Sequence, residues 1–170
     1  LHRFAARSDG RLTVLRTRAG LDRFLDRRER HPDRVAGLLA IEGLHALEGE
    51  LARLDTLADA GFRMMGLAHL YDNALGGSST GLEKGGLTDF GREVVRRLDE
   101  RELIIDLAHA SEAVIDDVLA MTDRPLVVSH AGVRATCDTP RNLSDRHLRA
   151  IAQQGGLIGV GTWPRVVCDT

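Results

Sequence analysis

Residues 103–130 read LIIDLAHASEAVIDDVLAMTDRPLVVSH, and this stretch decides the fold. Its apolar runs, 103–107 and 126–128, are continuous rather than alternating in polarity, which is typical of parallel strands buried on both faces. Between them Ser111 begins a helical pattern, since a serine side chain can accept hydrogen bonds from the first amides of a helix. A strand–helix–strand order with short loops predicts a right-handed crossover between parallel strands.

The same alternation continues on both sides of this stretch. Leucines spaced by four and three residues predict one face of a helix, namely Leu47, Leu51, Leu54 and Leu57. Residues 12–15 form a candidate short strand and residues 21–30 an arginine-rich helix. The other predicted strands are residues 35–41, 62–68 and 157–160. This α/β pattern leaves an open doubly wound sheet or a (β/α) barrel, and both place functional residues at the carboxyl ends of strands.

Composition narrows the class of protein. The 170 residues, with 43% hydrophobic and 28% charged, predict one globular domain spanning 1–170. A formal net charge of -2 gives no reason to expect nucleic acid as a partner. No apolar run approaches the about 20 residues of a membrane span, and no cleavable signal is visible, so the compartment stays undetermined. Two cysteines exclude a disulfide scaffold and a four-cysteine zinc module.

Titratable side chains follow four successive predicted strands: Glu42, His69, His109 and His130. Such side chains meet at one mouth of a barrel if the strands are neighbours. Two imidazoles and a carboxylate suit a divalent metal such as zinc with open positions for water. A metal of this kind lowers the pKa of bound water toward about 7, so the pattern predicts hydrolytic chemistry.

Each of these titratable residues can also be interpreted as an ordinary structural residue. A lone histidine after an apolar run is usually a core or loop residue, and only the repetition favours ligands. The remaining histidines lack this placement and are interpreted as surface or helix residues: His2, His31, His45 and His147. The glycine-rich loop 76–86 lacks the Gly-Lys-Ser/Thr of a phosphate-binding loop, so we interpret it as an active-site loop. Arg141 is either a clamp for a substrate carboxylate or a structural arginine.

Six motifs in order resemble the membrane (renal-type) dipeptidase family of zinc peptidases, with the greatest likeness to bacterial members. They cover residues 35 to 165 approximately and read Ile41-Glu42-Gly43, Gly66-Leu67-Ala68-His69 with Asn73, Gly86-Leu87-Thr88-Asp89-Phe90-Gly91, Asp106-Leu107-Ala108-His109, Ser129-His130 and Pro140-Arg141-Asn142. The resemblance implies a (β/α)8 TIM barrel of the metal-dependent hydrolase type that binds two zinc ions and hydrolyses dipeptides by metal-activated water.

The resemblance also implies roles for individual residues. Glu42 corresponds to the carboxylate that bridges both metals and takes part in catalysis, and His109 and His130 correspond to ligands of the second zinc. His69 corresponds to the catalytic histidine that binds substrate and stabilises the tetrahedral intermediate. Arg141 corresponds to the arginine that binds the substrate's carboxylate. Cys137 and Cys168 fall near positions where some members have a disulfide, the alternative being two free buried thiols.

The sequence departs from the family pattern at the first metal. That metal needs a His-x-Asp pair on the first strand and an aspartate on the last. No predicted strand before residue 35 carries such a pair, and nothing after Trp163 supplies the last strand. Ligands for one zinc are therefore visible. Because a complete barrel has about 250 residues, we expect an incomplete barrel of about five of eight strands, poorly stable and nearly inactive in isolation.

Two other functions stay open alongside a dipeptidase. A barrel metal hydrolase acting on a lactone, an ester or a non-peptide amide would use the same site. A truncated barrel without turnover would bind one metal or a partner. The sequence determines neither the preferred dipeptide nor the oligomeric state, for which a homodimer is one candidate.

Overall fold

Six parallel strands form one sheet in the computed structural model of this protein, which describes residues 1–168. Each strand pairs with the next one along the chain, in the order β1 to β6. This order never reverses, which excludes the doubly wound sheet and leaves the wall of a barrel. The predicted partial barrel is confirmed. The strands are β1 Leu12–Leu15, β2 Val35–Ile41, β3 Phe62–Gly66, β4 Ile104–Asp106, β5 Val127–Ala131 and β6 Leu157–Val160.

The candidate strand at residues 12–15 is therefore real, and it brings the total to six rather than the five expected. It pairs with β2 from Leu12 opposite Val35 to Leu15 opposite Leu38. β5 is also longer than the predicted 126–128, because the strand continues through Ser129 and His130. His130 accordingly lies within a strand and not after it.

Helices lie between consecutive strands, with one more before the first strand and one after the last, and several of them begin at polar caps. The side chains of Thr88, Ser111 and Ser144 accept hydrogen bonds from the amides of Gly91, Val114 and His147, as the sequence predicts for helix starts. The helices are α1 His2–Ala6, α2 Arg18–Arg28, α3 Ala52–Ala60, α4 Asp89–Glu100, α5 Glu112–Leu119, α6 Asp145–Gln153 and α7 Pro164–Val167. None of the helices within residues 1–168 is long and apolar enough to span a bilayer.

The predicted leucine helix is interrupted. Leu47 belongs to a separate 3-10 helix, Leu44–Leu47, and α3 begins only at Ala52. The chain reverses between them through left-handed backbone at Glu48, with φ 49°, and Gly49, with φ 79°. Leu47 and Leu54 are nevertheless both fully buried, so the leucine spacing identifies core residues correctly although it joins two elements into one.

An aliphatic core packs between the sheet and helices α3 to α6, and its largest members include Leu54, Met65, Leu98, Leu107 and Ile151. The expectation that every strand is buried on both faces is wrong for β2 and β6. Their side chains Val35, Leu157 and Val160 are 59%, 67% and 68% exposed. Continuous apolar sequence predicts the strands correctly, but it does not report which faces other elements cover.

Candidate metal centre

Three side chains from different parts of the sheet converge on one point at the carboxyl ends of the strands. Glu42 directly follows β2, His109 lies three residues after the end of β4, and His130 lies within β5. The Nε2 atom of His109 lies 3.0 Å from Oε1 of Glu42 and 3.0 Å from Nε2 of His130. The Nε2 atom of His130 lies 3.2 Å from the same Glu42 oxygen.

This arrangement fits a metal ion better than a network of hydrogen bonds. Each neutral imidazole has one proton for its two nitrogens, so a contact between two Nε2 atoms needs a proton or a cation to be favourable. One ligand atom from each of the three residues lies within 4.8 Å of the other two. Among the described residues this is the only group of three or more histidine, cysteine or acidic side chains with that geometry. Two imidazoles and one carboxylate are ligands that zinc and similar divalent metals accept.

His109 is in the state that binds a metal. Burial of its imidazole lowers the pKa of His109 to about 4, with further lowering from Arg141 and His130. A pKa this low leaves the ring neutral at pH 7, so a lone pair is available to a cation. Its Nδ1 atom is buried and has no hydrogen-bond partner among the described residues.

His69 lies beside this group rather than within it. Its Nε2 atom is 3.8 Å from Oε1 of Glu42, and its ring packs edge-on against the ring of His109 with centroids 4.7 Å apart. The His69 side chain is 40% exposed, so it can reach a bound molecule. The backbone oxygen of His69 accepts a hydrogen bond from Ser78, which connects it to the glycine-rich loop.

Arg141 reaches the site from the loop between β5 and α6. Its Nη2 atom donates a hydrogen bond of 2.7 Å to the backbone oxygen of His130. Burial lowers the pKa of Arg141, and the carboxylates of Asp106 and Glu42 oppose that shift. A guanidinium has five N–H donors, so the bond to His130 leaves others for a ligand.

The Arg141 loop is anchored to the chain that follows β6. Cys137 and Cys168 are joined as a disulfide, with Cα atoms 5.4 Å apart. The side-chain amide of Asn142 adds two hydrogen bonds, to the backbone oxygens of Cys137 at 2.8 Å and Val166 at 2.9 Å. The residue next to Arg141 is therefore fixed on two sides.

Comparison with known proteins decides the family. The family model described as membrane dipeptidase, peptidase family M19, matches residues 2–170. The chain belongs to the membrane dipeptidase family. It is 32% identical over 167 residues to a Klebsiella pneumoniae protein named only for its position in the pqqA 5' region, covering 94% of this chain and 59% of that protein. It is 30% identical over 133 residues to mouse dipeptidase 3, covering 75% of this chain and 27% of the mouse protein.

Solved structures agree with this membership. The probable dipeptidase PvdM of Pseudomonas aeruginosa matches with a TM-score of 0.83 and 28% identity, over 94% of this chain and 41% of that one. A Rhodobacter sphaeroides metallopeptidase, liganded with a phosphinate mimic of the dipeptide L-Ala-D-Ala, matches with a TM-score of 0.78 and 31% identity. The match covers 93% of this chain and 45% of the Rhodobacter chain. The chain thus spans 59% or less of the length of each of these four relatives.

Membership in the membrane dipeptidase family confirms the resemblance of the six motifs. The structure brings together Glu42, His109 and His130, with His69 and Arg141 at their edge. The roles assigned to these five residues stay predictions. The other described histidines lie outside the group of three. His147 is a helix residue, one of the two interpretations given to it, and it is completely buried in α6, where Asp116 and Ser144 contact its ring nitrogens.

Sequence reasoning assigned no individual role to three residues around this dipeptidase-family site, although Asp106 and Ser129 lie within the motifs quoted above. Ser129 places its hydroxyl 2.8 Å from Nδ1 of His130. Asp106 is buried where β4 ends and accepts two backbone hydrogen bonds from the segments that contain the histidines. Trp163 has its ring centroid 5.9 Å from that of His130. Asp106 had a sequence signal, a carboxylate at the end of an apolar run, whereas Trp163 had none.

Proposed function

We propose that the protein is a zinc-dependent dipeptidase that hydrolyses the peptide bond of dipeptides. The single observation that supports this most is the convergence of Glu42, His109 and His130 within hydrogen-bond distance of one another. Membership in the membrane dipeptidase family narrows the substrate class. The activity belongs to the full natural protein, because the chain spans about half or less of most of these relatives.

Zinc is the metal that we assign to this donor set. When bound, zinc supplies a Lewis acid that makes water nucleophilic near neutral pH and polarises a carbonyl. His109 and His130 would hold the ion with neutral imidazoles, and Glu42 would contribute a carboxylate oxygen. The lowered pKa of His109 supports this role, because that ring needs no deprotonation at pH 7.

We assign His69 to the substrate's scissile carbonyl. It borders Glu42 at 3.8 Å and is partly exposed, so its Nε2 can face a bound molecule. A donor at this position stabilises the negative charge that develops on the carbonyl oxygen in the transition state. His69 would therefore orient the carbonyl before the reaction and hold its oxygen during it.

Arg141 would bind the free carboxyl terminus of the substrate. A guanidinium binds a carboxylate through two parallel hydrogen bonds, and the partial burial of Arg141 strengthens such a pair. Because Arg141 is bonded to the backbone of His130, the carboxylate would be held close to the scissile bond. In any free peptide such a pairing directs cleavage to the C-terminal peptide bond, and in a dipeptide this is the only peptide bond.

A substrate panel tests the proposal in the full natural protein. The panel contains L-Ala-L-Ala, L-Ala-D-Ala, the amide of L-Ala-L-Ala, a tripeptide and a lactone. We expect hydrolysis of at least one free dipeptide, weak turnover of the amide and the tripeptide, loss of activity after chelation and recovery with Zn²⁺. Turnover of the lactone without any dipeptide would contradict the proposal and favour a non-peptide hydrolase.

A further inference from the structure

Asp106 connects the two segments that contain the histidines. Its side chain is 6% exposed at the end of β4. A single oxygen, Oδ1, accepts hydrogen bonds of 2.9 Å from the backbone N–H of Ala108 and 2.9 Å from that of Ser129. We propose that Asp106 is a positioning residue that fixes the imidazoles of His109 and His130 relative to each other, which rests on the metal site proposed above.

The two donors are the residues directly before the two histidines. Ala108 precedes His109, and Ser129 precedes His130. Fixing the N–H of a residue restricts the peptide plane before it and therefore the direction in which the next side chain leaves the backbone. One carboxylate oxygen thus acts on both imidazoles through equivalent positions.

The sheet itself gives little support at this point. The ladder between β4 and β5 contains one pair of Cα partners, Asp106 and Val127. One further bond, from the N–H of Leu107 to the oxygen of Val127, has a length of 2.8 Å. The neighbouring ladder between β3 and β4 has three pairs by comparison. The carboxylate of Asp106 therefore continues the pairing of β4 with β5 beyond the point where the backbone ladder stops.

The two imidazoles differ in how their far nitrogens are held. Nδ1 of His130 lies 2.8 Å from the hydroxyl of Ser129, which can fix the orientation of that ring. Nδ1 of His109 has no hydrogen-bond partner among residues 1–168. His109 also adopts left-handed backbone with φ 67°, a conformation that a residue with a side chain keeps only when its surroundings hold it. The position of His109 thus depends on its backbone. Asp106 holds this backbone at Ala108, and the N–H of Ser79 donates a hydrogen bond of 2.7 Å to the backbone oxygen of His109.

Zinc affinity tests this role without reference to catalysis. In the full natural protein, Zn²⁺ is titrated in competition with a chelator, and Co²⁺ absorption reports the geometry of the site. Asp106→Ala removes the acceptor, and we expect a loss of about 10- to 100-fold in affinity, as is common when the partners of metal ligands are removed. Asp106→Asn keeps an acceptor oxygen, so its affinity should stay within about threefold of the original.

A matched control is Asp117→Ala. Asp117 is also a carboxylate that accepts a backbone hydrogen bond, from Leu87 at 2.7 Å, but outside the metal site. We expect this variant to lose stability and keep its zinc affinity. Equal zinc affinity and an unchanged Co²⁺ spectrum in folded Asp106→Ala would overturn the role of Asp106. A loss in Asp106→Asn as large as in Asp106→Ala would also overturn it, because charge rather than hydrogen bonding would then be responsible.

Hydrogen exchange of the unmodified protein gives a second measurement if Asp106→Ala does not fold. The amides of Ala108 and Ser129 should exchange as slowly as amides within the strands, since both are bonded to Asp106. Fast exchange at Ala108 or Ser129 would contradict the proposal. The outcome is independent of the substrate, because a protein that binds zinc but cleaves no dipeptide would refute the proposed function and leave the role of Asp106 intact.

Discussion

His109 and His130 present their Nε2 atoms to each other at 3.0 Å, and Oε1 of Glu42 lies within 3.2 Å of both. Two imidazoles do not face each other in this way for their own stability, since at most one proton can lie between them. The contact brings together elements that lie 21 and 67 positions apart in the chain. It is the geometric basis of the proposed metal site.

Substitution of either histidine should remove metal and activity together. His109→Ala leaves one imidazole and one carboxylate, too few donors to hold zinc against a moderate chelator. We expect bound zinc, measured by atomic absorption, and dipeptide hydrolysis to fall in parallel. His31→Ala is the matched control, because His31 is an exposed histidine outside the group of three. Full activity in His109→Ala without zinc would refute the ligand assignment.

Arg141→Ala should impair the binding of free dipeptides selectively. Losing hydrogen bonds between charged groups costs about 1.5–3 kcal/mol, which lowers kcat/KM by about 10- to 100-fold. For dipeptide amides, which have no terminal carboxylate, kcat/KM should fall much less. Arg141 also donates a hydrogen bond to the backbone oxygen of His130, so its loss could disturb the metal site instead of substrate binding. Measuring the zinc content of Arg141→Ala distinguishes these two roles. Equal losses for both substrate classes together with loss of zinc would identify a structural arginine.

The Cys137–Cys168 bridge should be detectable by mass spectrometry. Alkylation without reductant should modify neither cysteine, and alkylation after reduction should modify both. The two cysteines are 31 positions apart, so replacing both with serine should lower the free energy of unfolding by about 3–4 kcal/mol on the chain-entropy model. Two alkylated thiols in the unreduced protein would show that the bridge does not form.

Gly91→Ala should destabilise the protein although alanine favours helices. A Cβ atom at Gly91, in the first turn of α4, would lie 1.9 Å from the backbone oxygen of Leu75. Relieving this overlap requires the helix or the loop to move, at a cost of about 1–3 kcal/mol. Gly85→Ala is the control, since a Cβ there meets no atom within 4 Å. Urea denaturation should separate the two variants, and equal midpoints would contradict the close packing of α4 on Leu75.

Acid should weaken the contact between α3 and α4. The hydrogen bond from Arg97 holds the pKa of Asp55 below its ordinary value of 3.8, and the charges of Arg97 and Arg101 contribute. The unfolded chain then binds protons more readily, so the stabilisation is complete above about pH 4 and is lost as pH falls through the lower folded pKa. Asp55→Asn should therefore lower the urea midpoint more at pH 7 than at pH 3. Asp22 forms an exposed ion pair with Arg18, so Asp22→Asn should leave the urea midpoint unchanged at both pH values.

Much of the site follows from where the apolar runs stop. The ends of β2, β3 and β4 place Glu42, His69 and His109 at one edge of a parallel sheet, and no family knowledge is needed for that step. His130 was found by the same reasoning although it lies inside β5. The prediction that His130 follows the strand is wrong by a few residues. This has little effect on the site, because His130 still lies at the carboxyl end of β5.

Other features depend on contacts that no local pattern contains. The left-handed backbone of His109 and the double acceptor role of Asp106 arise only when β4 and β5 are side by side. Burial of His147 depends on its contact with Asp116 from another helix, so an amphipathic pattern in α6 could not reveal it. The pairing of Cys137 with Cys168 was suggested by the family resemblance and not by spacing.

The three proposed metal ligands belong to three different regions of the sheet, around β2, β4 and β5. An ion shared by them therefore acts as a cross-link that exists only in the folded sheet. By mass action, each tenfold rise of free zinc above its dissociation constant adds about 1.4 kcal/mol to the stability of that fold. The melting temperature should therefore rise with the concentration of free zinc. At low zinc, unfolding and proteolysis would remove the protein in addition to the loss of its activity.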